Sequence, residues 1–157
     1  MKTKHVPTLK LCQTFATLCK EKGIVVPETV FFWAECHLNE DEHGKHEKHW
    51  LLLFNNTTDN EESRVISDMP ESWNFEEFDW GKTLASPLVS EQGEWLPPAI
   101  KVKDALAYLK YVPHSDKQTD VIYSKVGWFH QESDHKEANA RIKMLNYLLA
   151  EGIITTL

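Results

Sequence analysis

Cysteine is scarce in this chain. Cys12, Cys19 and Cys36 cannot all pair within one molecule, and none of them forms a C-x-x-C. A disulfide scaffold and a cysteine-based zinc motif are therefore not indicated, and the thiols read as reduced groups of a cytoplasmic protein. The chain has no run of the ~20 apolar residues that a membrane helix needs. Met1-Lys-Thr-Lys-His-Val-Pro7 is followed by no apolar stretch of the signal-peptide kind. No membrane partner is expected. Positive charge is also in short supply, with 17 Lys and Arg against 24 Asp and Glu and a net charge of −7. That total argues against a uniformly basic surface for nucleic acid.

What is present is an ordinary globular composition, 41% hydrophobic and 26% charged, in a length that suits one domain over residues 1–157. The charge is unevenly spread. Residues 59–99 hold ten Asp and Glu against Arg64 and Lys82, whereas residues 1–34 carry five lysines against two glutamates, and residues 100–126 five lysines against three aspartates. Two mildly basic segments thus flank an acidic one, and the net charge alone does not decide against an anionic partner.

Helical periodicity marks residues 8–22, with Leu11, Phe15 and Leu18 on one face and Gly23 as the stop. Seven residues apart on that helix, Cys12 and Cys19 read as core packing. A short helix over 61–67 and an irregular flap pinned by Trp73, Phe75, Phe78 and Trp80 are expected between the acidic residues. Ile100 to Val102 reads as a short strand. From Asp104, a good N-cap, a helix with Ala105, Leu106, Leu109 and Val112 as its stripe is expected to run to Pro113. Tyr111 would point away from that stripe, and Tyr108 would lie at its edge. The last helix is the clearest, with Asp134 and Glu137 as a capping box, Ala138, Ile142, Leu145 and Leu149 as its stripe and Gly152 as its end. Residues 134–157 could form a helical extension of the domain. The ending Ile153-Ile-Thr-Thr-Leu157 reads either as the start of a further segment or as residues that dock on the domain.

The chemistry-bearing stretch is Glu35-Cys-His37 and, after a polar loop, Glu47-Lys-His49-Trp-Leu-Leu-Leu-Phe54. Both halves read as strands, and side chains two apart on a strand share a face. Paired antiparallel with Glu35 near His49 and His37 near Glu47, the four groups would converge into a set suited to Mn²⁺, Zn²⁺ or another first-row dication. A charged, solvent-facing hairpin is the plainer alternative. A dication beside a tyrosine could activate a phosphodiester as a Lewis acid while the tyrosine oxygen attacks phosphorus.

These residues resemble the HUH endonucleases, and among them the rolling-circle replication initiator (Rep) proteins of small plasmids of Gram-positive bacteria. His37-Leu-Asn-Glu40 is similar to the family's His-x-x-Asp, with Glu for Asp. Lys45-His-Glu47-Lys-His49-Trp-Leu-Leu-Leu53 resembles its His-x-His followed by an apolar strand, with Glu47 in place of the first histidine. Tyr111-Val-Pro-His114 is similar to the Tyr-Leu-Thr-His that carries its nucleophile. The resemblance spans roughly residues 29–125. It implies an α+β fold, a central antiparallel sheet of HUH or RRM-like type flanked by helices, here with an extra C-terminal helix. It implies metal-dependent nicking and joining of single-stranded or hairpin origin DNA through a 5′-phosphotyrosine on Tyr111, with host helicase and polymerase as partners. His37, Glu40, Glu47 and His49 would hold Mn²⁺ or Mg²⁺, with Glu35, Tyr108, Lys110 and His114 as accessory groups. The alternative is a catalytically silent DNA- or protein-binding module on the same fold.

Overall fold

The computed structural model of the chain describes residues 2–38, 47–55 and 78–157. After a 3-10 turn at Lys2–His5 come helix α1 (Leu9–Glu21), strands β1 (Phe31–Leu38), β2 (Glu47–Phe54) and β3 (Phe78–Ala85), and helix α2 (Val89–Trp95). Strands β4 (Ala99–Val102), β5 (Ala105–Pro113), β6 (Thr119–Lys125) and β7 (Trp128–Asp134) precede helix α3 (Glu137–Ala150). The α+β class and the C-terminal helix are those expected. The strands form two antiparallel sheets, one ordered β2-β1-β3 and the other β4-β5-β6-β7. Helices α1 and α3 pack on each other; α1 also packs on β3, while α3 covers β6 and β7.

Packing, rather than capping, holds α1 in place. Thr8 occupies its N-cap without a side-chain bond to the helix, which forgoes about 1 kcal/mol. The same helix buries Cys12, Phe15 and Cys19, and one large apolar side chain removed completely from water contributes about 1.5–3 kcal/mol. Phe15 stacks on Trp95 of α2 at 5.9 Å between ring centres. Around that pair lie Leu96, Ile100, Ala107, Val121, Tyr123, Ile142, Leu145, Leu148 and Leu149. Burial pushes the Cys12 thiol up to about 12 and the Cys19 thiol up to about 11. The chain's ending docks on this core through Ile153, Ile154 and Leu157.

Three expectations are corrected here. The segment from Asp104 to Pro113 is a strand, β5, not a helix. Lys103 and Asp104 are the two-residue turn between β4 and β5, with Lys103 at φ +56°, so Asp104 caps nothing. The segment suits two periods: Ala105, Ala107 and Leu109 alternate at two-residue spacing, while Ala105, Leu109 and Val112 recur at helical spacing, and pairing with strands on both sides decides the outcome. Asp134 is not the cap of α3, since Lys136 holds that position. Asp134 ends β7 and accepts bonds from the backbone N–H of Lys136 at 2.9 Å and from Lys143 Nζ at 2.8 Å. The third correction, the register of the first hairpin, bears on the site. The expected helix over 61–67 lies outside the described residues, as does the flap apart from β3. No helix among the described residues is long and apolar enough to cross a membrane.

Candidate functional site: a lysine-lined cleft beside Glu35 and His37

Strands β1 and β2 pair antiparallel, as expected, but one residue out of the expected alignment. Glu35 lies opposite Trp50, Cys36 opposite His49, His37 opposite Lys48, and Leu38 opposite Glu47. Directly opposed residues share a face, so a one-residue slip sends a whole set of side chains to the other side. Glu35, His37, Lys48 and Trp50 therefore stand on one face, while His49 stands with Cys36 on the other. The expected alignment of Glu35 with His49 and of His37 with Glu47 is therefore not the register observed.

On the first face Glu35 is the hub. Its carboxylate, 5% exposed, is bonded through Oε1 to His37 Nε2 at 2.7 Å and through Oε2 to Lys48 Nζ at 2.7 Å. The Lys48 hydrogen bond, with help from His37 and against the cost of burial, holds its pKa below the usual carboxylate value. On the far side β3 makes room. The β1–β3 register shifts between Ala34 and Cys36, and Gly81 sits at that irregularity. A Cβ on Gly81 would fall 2.9 Å from Glu35 Oε1 and 3.3 Å from His37 Nε2. Only glycine leaves the pair undisturbed.

This face opens into a cleft of about 340 Å³ between α1 and the three-stranded sheet. From α1 come Gln13, Ala16, Thr17 and Lys20, the polar stripe opposite the one that enters the core. The strands contribute Glu35, Lys48, Trp50, Lys82 and Leu84. Three lysines and one carboxylate thus line the cleft, and Lys48 also lies 5.9 Å from the centre of the Trp50 ring. In a chain of net charge −7 this is a local cationic site with an aromatic wall, suited to a phosphate and a flat base or ring.

The expected ligand set is not assembled by the described residues. Glu35 and His37 are together, but Lys48 already supplies positive charge to Glu35, and His49 is on the opposite face. Glu40 lies outside the described residues, and of Glu47 only the backbone register is described. Among the described residues no three of His, Cys, Asp and Glu are placed to hold a metal ion.

Tyr111 stands elsewhere, on β5 of the second sheet. Its ring lies under the Arg141 guanidinium of α3 at 4.0 Å, and its hydroxyl accepts a hydrogen bond from Arg141 Nη1 at 3.2 Å. Arg141 is itself bonded to Glu137 through Nε at 2.9 Å. Burial raises the Tyr111 pKa; Arg141 pulls the other way, and Glu137 adds to the rise. His114, just past β5, is bonded through Nε2 to Asp120 Oδ2 at 2.7 Å. Tyr108 and Lys110 project from the other face of β5. Tyr123, deeply buried, donates to the carbonyl of Pro97 and is a core residue.

Sequence reasoning missed Lys20, Lys48, Trp50, Gly81 and Lys82. The only signal for the cleft was the i, i+3, i+4, i+7 spacing of Gln13, Ala16, Thr17 and Lys20, which reads equally as a solvated helix face. No protein-family model, curated protein or solved structure matches this chain.

Proposed function

We propose that this protein binds single-stranded DNA, in the manner of a Rep-type origin-binding domain, and that the cleft between α1 and β1–β3 is where the strand is held. The observation that carries the reading is the grouping of Lys20, Lys48 and Lys82 around Trp50 in one cleft. Lysines neutralise phosphates, and an aromatic face stacks on a base. Glu35 fixes Lys48 in that cleft at 2.7 Å, and His37 fixes Glu35. The test is a titration of a fluorescently labelled single-stranded oligonucleotide, read by anisotropy, against the wild type and the double variant Lys20→Glu, Lys82→Glu. The reading expects binding by the wild type and its loss in the variant, with thermal unfolding unchanged. Equal affinity in the two proteins overturns it.

A second reading adds chemistry, and one observation favours it. Tyr111 carries a guanidinium against its ring and hydroxyl, an arrangement that can neutralise a phosphate brought to the tyrosine oxygen. In this reading the Tyr111 hydroxyl oxygen forms a bond to phosphorus as the bond from phosphorus to the upstream 3′ oxygen breaks. The phenol's proton ends on that departing oxygen, directly or by way of water, and gives the free 3′-hydroxyl. The protein would remain joined to the 5′ end of the nicked strand, with Mn²⁺ or Mg²⁺ supplied. A denaturing gel of protein with labelled single-stranded origin-type oligonucleotides and Mn²⁺ tests it. A protein-sized labelled band that disappears in Tyr111→Phe supports nicking. Persistence of the band in Tyr111→Phe removes Tyr111 from the role, and no band with any oligonucleotide leaves binding alone.

A further inference from the structure

The second sheet has one face covered by α3 and one open face. Across β4, β5, β6 and β7 the register aligns Ala99, Tyr108, Ser124 and Phe129 in one row. Tyr108 is 57% exposed and Phe129 68% exposed. Large aromatic rings left in water are uncommon enough to require a reason when two share a sheet face. One strand, β6, lies between them, and two inter-strand spacings of about 4.8 Å place the two positions about 10 Å apart. Each ring therefore has room for its own base.

The exposed charges on this face are lysines. Lys101, opposite Leu106, and Lys110, opposite Ile122, flank the aromatic row. The one carboxylate on the face, Asp120, is buried and bonded to His114 and Gln118. The geometry points to this open face as a second contact surface for single-stranded nucleic acid, with Tyr108 and Phe129 stacking on bases and Lys101 and Lys110 meeting phosphates. The inference rests on the proposed DNA-binding function and extends it from the cleft to a second surface. Stacking of bases on exposed sheet aromatics is sequence-tolerant because every base offers a flat face. A second copy of this chain fits less well. A twofold pairing sets a patch against itself and would bring lysines against lysines.

The test uses the same anisotropy titration with an oligothymidylate of about 16 nucleotides. It compares the wild type, the double variant Tyr108→Ala, Phe129→Ala, and the cleft variant Lys20→Glu, Lys82→Glu. Light scattering of each protein runs alongside. The face reading expects the aromatic variant to bind about tenfold or more weakly, with unfolding temperature unchanged because both rings are already exposed. Full affinity in that variant together with loss in the cleft variant overturns the second surface and leaves the cleft standing. Loss in the aromatic variant with full affinity in the cleft variant retains the face and removes the cleft. A wild type that binds no oligothymidylate overturns both. A wild-type dimer that the aromatic variant converts to monomer assigns the face to pairing of copies and overturns the inference.

Discussion

The salt dependence of binding to single-stranded DNA reports the cleft directly, and its size follows from the groups in it. Each phosphate neutralised on a single strand contributes about −0.7 to the slope of log K against log salt. The cleft holds Lys20, Lys48 and Lys82. If all three meet phosphates the slope is about −2.1; if Lys48 is kept by Glu35, the two others give about −1.4. Engagement of Lys101 and Lys110 on the outer sheet face as well sets a ceiling near −3.5. Raising KCl from about 50 to about 200 mM should then weaken binding by roughly sevenfold at the lower slope and roughly a hundredfold at the ceiling. The double variant Lys20→Gln, Lys82→Gln removes charge without reversing it and should flatten the slope by about 1.4. The assay is fluorescence anisotropy at four or more salt concentrations. A slope unchanged in that variant would refute the phosphate role of the cleft, whatever the affinity.

Other outcomes follow from the same geometry. Gly81→Ala should disrupt the Glu35–His37 pair, because its Cβ would arrive 2.9 Å from Glu35 Oε1. The loss is about 1–3 kcal/mol, or a fall of a few degrees in unfolding temperature, and a melt identical to wild type would contradict it. Glu35 has a lowered folded pKa, so its contribution to stability is present above the unfolded value near ~4.3 and is lost as pH falls through the folded value. Glu35→Gln should therefore be less stable than wild type near neutral pH and converge with it in acid, as urea unfolding across pH will show; parallel curves would contradict the pairing. Cys12 and Cys19, buried with pKa values pushed up to about 12 and about 11, should resist thiol reagents at about pH 8 until denaturant is added. Rapid labelling of either in the native protein would contradict their place in the core.

Much of this was readable from the residues, and the failures have physical causes. Helices α1 and α3 announced themselves because Phe15, Ile142, Leu145 and Leu149 recur at helical spacing and Gly23 and Gly152, both at positive φ, end them. The strands β1 and β2 were legible from their aromatic and β-branched runs. Their register was not, because the polar loop between them carries no short turn signal that would fix alignment. One residue of slip separated His49 from Glu35. β5 was misread because Ala105-Leu-Ala-Tyr-Leu-Lys-Tyr-Val112 suits both periods, and the partners that make it a strand lie as far away in sequence as Ser124 is from Tyr108. The cleft was invisible for a related reason: Lys20, Lys48 and Lys82 come from three separate elements that only the packing of α1 on the sheet brings together.

The measurement that tests the central claim most directly is photo-crosslinking of a single strand bearing 5-iodouridine, followed by mass spectrometry of the joined peptides. Binding in the cleft predicts a crosslink to Trp50 that vanishes in the Lys20→Glu, Lys82→Glu variant. Efficient crosslinking that avoids Trp50, or that persists at full yield in that variant, would contradict it.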